Sequence, residues 1–121
     1  LWTYSLFRAG AEADAALDDF YRGVVGRYWP PERRHVEEGY RTLPFPLEEL
    51  PAPAFELATD WSLAQVVGYV GTWSAVDRYR AAEGRDPLPL IEASLAPYWP
   101  PGGVRRVAWP MHLRLGRVTP I

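Results

Sequence analysis

Phe55 to Arg80 reads FELATDWSLAQVVGYVGTWSAVDRYR, and this stretch decides the fold class. Phe55, Leu57, Thr59 and Trp61 alternate with Glu56, Ala58 and Asp60, the period of two expected of a strand with one buried face. Ser62 and Gln65 then stand at capping-box spacing. The hydroxyl can accept an amide three residues on while the glutamine reaches back, which starts a helix. Val66, Val70, Trp73 and Val76 carry helical spacing to about Ala82, and Gly84 supplies a left-handed stop. A strand feeding directly into an amphipathic helix is a building unit of α/β folds.

Upstream, Leu1 to Phe7 is short, apolar and rich in aromatics, which suits a strand buried on both faces of a parallel sheet. Opening on such a strand, with no polar leader, reads as the continuation of something upstream. Ala11 to Tyr28 follows as an amphipathic helix: Leu17, Phe20, Tyr21, Val24, Val25 and Tyr28 recur at three and four, and acidic residues crowd its first turns. Trp29-Pro30-Pro31 ends it, because proline disfavours the helical region for the residue before it. Pro31 to Tyr40 reads as a second, short helix. The four prolines between Arg41 and Ala54 predict a stiff loop or lid without ladders.

Downstream, Asp86 caps a further helix with Pro87 at its first position, and Leu88, Ile91 and Leu95 form its stripe. The last segment alternates Val107, Trp109, Met111, Leu113 and Leu115 with polar or mixed residues, a strand in which Pro110 demands a bulge or an unpaired side. The expected order is β, α, α, proline loop, β, α, α, β. YWPP occurs at Tyr28 to Pro31 and at Tyr98 to Pro101, each time after a helix, and reads as recurrent stop chemistry.

Composition narrows the function. The 121 residues fit one domain; the net charge is -2, which offers nucleic acid or an anionic membrane no general attraction. Cysteine is absent, which removes disulfides, thiolate metal sites and cysteine nucleophiles together. No apolar run reaches the roughly 18 residues that span a bilayer, and the opening LWTYSLF lacks a charged n-region, so the chain reads as cytoplasmic.

Few residues advertise chemistry. His35 lies in a charged helix and His112 on the mixed face of the last strand, and spacing fixes no partner for either, so both read as structural. Ser5, Ser62, Ser74 and Ser94 lie in no G-x-S-x-G elbow. No dinucleotide fingerprint, P-loop, EF-hand or H-E-x-x-H stretch is present. The aromatics, Trp73 and Trp109 among them, read as core before pocket lining. Arg33, Arg34 and Arg41 read as solvated charge before a carboxylate clamp. A hydrolase or isomerase using His35 or His112 would need one of them within hydrogen-bond reach of a serine or carboxylate.

Taken together, WTYSL, FYRGVVGRYWPPERRHVEEGYRTLPFP, DWSLAQVVGYVGTWSAVDRYR and RRVAWPMHLRLGRV resemble the C-terminal part of a class I S-adenosylmethionine-dependent methyltransferase. The likeness is to the methyltransferase-type-11, trans-aconitate methyltransferase-like branch, and WPPERR and TWSAV are its most specific stretches. The resemblance implies an α/β fold that is the C-terminal half of a Rossmann-like sheet: three strands, the last antiparallel, with about four helices. Leu1 to Phe7 would be the fifth strand, Ala54 to Trp61 the sixth and Val104 to Val118 the seventh. Residues 1–121 would form a single partial domain without the cofactor-binding half. S-adenosylmethionine would belong to the whole enzyme, with no catalytic, cofactor-binding or metal residue assigned in this chain. Acceptor contacts would fall to Tyr4 and Arg8, at and just past the end of the first strand, with Trp73 and the Arg34 to Tyr40 stretch as cover. The acceptor would be a small molecule; a carboxylate would suit the scarcity of acid-base groups. Partners would be the missing N-terminal half, or a second copy through the open edge at residues 1–7. The alternative reading is an autonomous binding or dimerisation module derived from that fold.

Overall fold

The computed structural model describes residues 1–118, and they fall into two compact units. The first comprises Leu1–Phe7, Pro31–Ala58 and the segment from Ala108 onward; the second comprises Arg8–Pro30 and Thr59–Val107. Strands β1 (Trp2–Tyr4), β4 (Val104–Leu113) and β3 (Phe55–Ser62) form one sheet in the order β1-β4-β3. β1 runs antiparallel to β4, with Trp2 opposite Leu113, Thr3 opposite His112 and Tyr4 opposite Met111. The architecture is α/β with an antiparallel last strand, as the resemblance implies.

Several expectations are corrected. The first strand is three residues long and not buried on both faces: Thr3 is buried, while Trp2 and Tyr4 are 60% and 41% exposed. Its neighbour among the described strands is the antiparallel β4. β3 alternates as expected yet has no buried face, with Phe55 and Leu57 47% and 58% exposed. The proline-rich loop does carry a ladder. β2 (Glu48–Leu50) pairs antiparallel with β5 (Leu115–Arg117), because the prolines at 44, 46, 51 and 53 flank this short strand and leave its amides free to pair. The last segment is therefore two strands, interrupted at Arg114. Pro110 stays in β4 as an acceptor, its carbonyl taking the Ser5 N–H at 3.1 Å.

The first unit buries Thr3, Phe7, Ala108 and Trp109, with the Phe7 and Trp109 ring centroids 5.9 Å apart. It also holds α2 (Arg33–Glu37), a single helical turn ending at Gly39 and Tyr40, both at positive φ.

The second unit has the larger core. α1 (Ala11–Asp18) buries Ala13 and Leu17 and carries Glu12 and Asp14 in its first turn, where the helix dipole favours them. The expected single helix to Tyr28 passes into a π-helical turn over Asp19–Val24 and a 3-10 turn over Gly26–Tyr28. The looser turn shifts the helical phase so that Phe20, Tyr21 and Val25 are all buried. Trp29 then turns extended before Pro30. The capping box forms in full: Gln65 N donates to Ser62 Oγ at 3.2 Å and Ser62 N donates to Gln65 Oε1 at 2.8 Å. The helix it starts is not continuous to Ala82. α3 (Leu63–Val70) stops where the Thr72 hydroxyl donates to the Tyr69 carbonyl, and α4 (Ser74–Glu83) begins after an extended Trp73. Gly84 ends α4 at φ 69°, as read from the sequence. Asp86 Oδ1 accepts the Leu88 amide at the start of α5 (Leu88–Leu95), whose Ile91 and Leu95 are buried. No described helix is long and apolar enough to cross a membrane.

Candidate functional site

The first unit gathers the chemistry. Ser5 directly follows β1, and the register that sets Thr3 opposite His112 puts the histidine diagonally across from Ser5 on the same sheet face. Ser5 Oγ and His112 Nε2 lie 2.6 Å apart in a half-buried setting. The imidazole is walled by Gly39: a Cβ there would come within 2.8 Å of His112 Cγ and 2.9 Å of Nδ1. Gly39 and Tyr40 both adopt left-handed backbone, at φ 64° and 63°; for tyrosine this conformation is strained. Arg114 clamps the strained segment. Its Nη1 donates to the Tyr40 and Leu43 carbonyls at 2.9 and 2.7 Å, and Nε and Nη2 each meet a Glu49 carboxylate oxygen at 2.9 Å. Its guanidinium also lies 4.5 Å from the Phe45 ring centre. The Arg114 hydrogen bonds hold the Glu49 carboxyl below its usual range. His35, on α2, has a buried Nδ1 with no hydrogen-bond partner among the described residues.

The proposed acceptor residues divide between the units. Tyr4, Arg34 and Tyr40 belong to the first. Tyr4 projects from the sheet face opposite to Ser5 and stacks on Trp2 at 6.3 Å; Arg34 is exposed; Tyr40 supplies its carbonyl to Arg114. Arg8 and Trp73 belong to the second. Arg8 pairs with Asp18 at 3.3 Å. Trp73 sits in an aromatic cluster, 5.7 Å from Tyr21 in an edge-on contact, 5.5 Å from Trp29 and 6.3 Å from Phe20. The Ser5–His112 pair was not read from the sequence. Its members are 107 positions apart and no local spacing joins them; the discriminating condition, a histidine within reach of a serine, is met only through the strand register.

The second unit also has an open groove of about 400 Å³, lined by Phe20 and Leu90 with Glu12, Asp19, Ser94 and Tyr98. No cluster of metal-ligating side chains exists among the described residues.

A nucleoside-holding cradle would lie in a turn where a strand enters a helix. Between β1 and α1 the glycine is Gly10, whose open side is filled by Arg105: a Cβ there would collide with the guanidinium Nη2. The first turn of α1 is acidic, and Asp14 Oδ1 accepts the Ala9 amide at 2.7 Å. Between β3 and α3 no residue intervenes, and the capping box occupies the helix start. These turns do not fit the methyl donor that the resemblance implies, and no step is assigned through it.

No family model matches the chain. A protein of Dictyostelium discoideum named "Putative methyltransferase" is 26% identical over 98 residues, which is 78% of this chain and 37% of that protein. A solved structure from Anaeromyxobacter dehalogenans, described as a "Putative Type II Methyltransferase", superposes with a TM-score of 0.91 at 48% identity, over 99% of this chain and 52% of that one. The chain thus spans about half, or less, of the length of the proteins it matches. Over that span it has a methyltransferase fold.

Proposed function

We propose that the chain is the C-terminal, acceptor-side part of an S-adenosylmethionine-dependent methyltransferase of the trans-aconitate methyltransferase-like branch, acting in the cytoplasm on a small molecule. The donor is held by residues outside the chain, which is not active alone. The observation that carries this reading is the near-complete superposition of the chain, at 48% identity, on roughly half of the solved structure described as a "Putative Type II Methyltransferase". Tyr4, Arg34 and Tyr40 within the first unit, and separately Arg8 and Trp73 within the second, are proposed to contribute acceptor contacts.

The test is calorimetric titration of S-adenosylmethionine into the chain alone and into a chimera. In the chimera the chain replaces the matched part of the Anaeromyxobacter protein, and circular dichroism establishes that it is folded. Silence from the chain and binding by the chimera are expected. Binding by the chain alone, or none by a folded chimera, overturns the reading.

A second reading, a dimerisation module, is favoured by one observation: Leu1, Trp2 and Tyr4 expose a terminal strand of the sheet, an edge that a partner strand can pair.

A further inference from the structure

We propose that Ser5 and His112 form a proton relay, so that the acceptor is a neutral molecule bearing an acidic hydroxyl, of the phenol or enol class, rather than a carboxylate. The proposal rests on the acceptor-side reading above and departs from the carboxylate acceptor expected from the sequence. Ser5 stands just past the carboxyl end of β1, the end at which an acceptor is expected. Its hydroxyl is 2.6 Å from His112 Nε2. With Nε2 as the acceptor of that bond, the serine oxygen keeps lone pairs free for a third group.

The surroundings are built for a fixed imidazole. A residue with a Cβ at position 39 would strike the His112 ring, and the left-handed Gly39-Tyr40 pair that shapes this wall is held by Arg114 on the Tyr40 carbonyl. A cross-strand bond needs neither a strained tyrosine nor an arginine clamp.

The same geometry argues against acyl chemistry. A tetrahedral oxyanion needs convergent free donors. Here the Ser5 amide donates to Pro110, the Gly39 amide to Val36 and the Tyr40 amide to His35. The pair can move a proton without the amide donors that a tetrahedral oxyanion requires. In the step, the acceptor O–H breaks and its proton passes to Ser5 Oγ. The Ser5 proton passes to His112 Nε2, leaving an acceptor oxyanion and an imidazolium. A carboxylate is already ionised near neutral pH and has no use for such a relay.

The experiment titrates 4-nitrophenol into the intact chain below the pH at which the free dye ionises. Equilibrium dialysis reports binding and phenolate absorbance reports proton transfer. The bound dye is expected to be several-fold richer in phenolate than free dye at the same pH, and to fall to the free-dye level in Ser5→Ala and His112→Gln, each verified as folded. Benzoate is expected to compete at least tenfold more weakly. Dye bound without ionisation, ionisation that persists in both variants, or benzoate binding as tightly as the phenol overturns the relay and leaves the acceptor-side reading standing. No binding of either probe overturns both.

Discussion

At the scale of single residues, Arg114 carries more of the local structure than its place in an alternating strand announces. Five of its contacts, to Tyr40, Leu43, Phe45 and both oxygens of Glu49, close the 40–50 segment onto the last strands. Because Arg114 depresses the Glu49 carboxyl, the folded state binds that proton less readily than the unfolded state. The pair's contribution is complete above the unfolded glutamate value and is lost as pH falls through the lowered folded value. Protection of the β2 and β5 amides, measured as exchange relative to the intrinsic rate at each pH, should therefore fall on acidification through that range, and Glu49→Gln should leave it low and nearly independent of pH there. Exchange that ignores both changes refutes the clamp. Gly39 gives a second prediction. Gly39→Ala should cost about 1 to 2 kcal/mol from the left-handed backbone alone, and more once the new methyl displaces the His112 ring. Urea denaturation measures the cost, and a shifted His112 imidazole resonance reports the displacement.

At the scale of elements, local signals did well where they close locally. The Ser62–Gln65 box spans three residues and formed as read, so Ser62→Ala should destabilise by about 1 kcal/mol in urea unfolding. A change near zero would show that tertiary packing alone holds the start of α3. The stop at Gly84 and the pre-proline extension at Trp29 were legible for the same reason. The misread elements depend on distant partners. β2 exists because β5, more than 60 positions later, supplies its ladder, and the Thr72 back-bond that splits α3 from α4 competes with a helix the periodicity favours.

At the scale of the whole molecule, the apolar residues on β1 and β3 remain in water. Leu1, Trp2, Tyr4, Phe55 and Leu57 are each more than two-fifths exposed, a surface that demands cover. The chain should therefore self-associate at high concentration, and W2K together with Y4K should move it toward monomer in sedimentation velocity. A monodisperse wild-type monomer at the same concentration would show that this surface is tolerated uncovered.

The α/β alternation, the capped start of α3, the proline and glycine stops and the likeness to a methyltransferase are legible in the residues alone, because each is written in neighbouring positions or in runs of one chain. That β1 is short and half-exposed, that the proline loop holds a strand, and that Ser5 meets His112 emerges only once the chain is folded. Those outcomes turn on strand register and on which faces receive cover. Both depend on pairing across more than 60 positions, and a period of two says which residues share a face without saying what will lie against it.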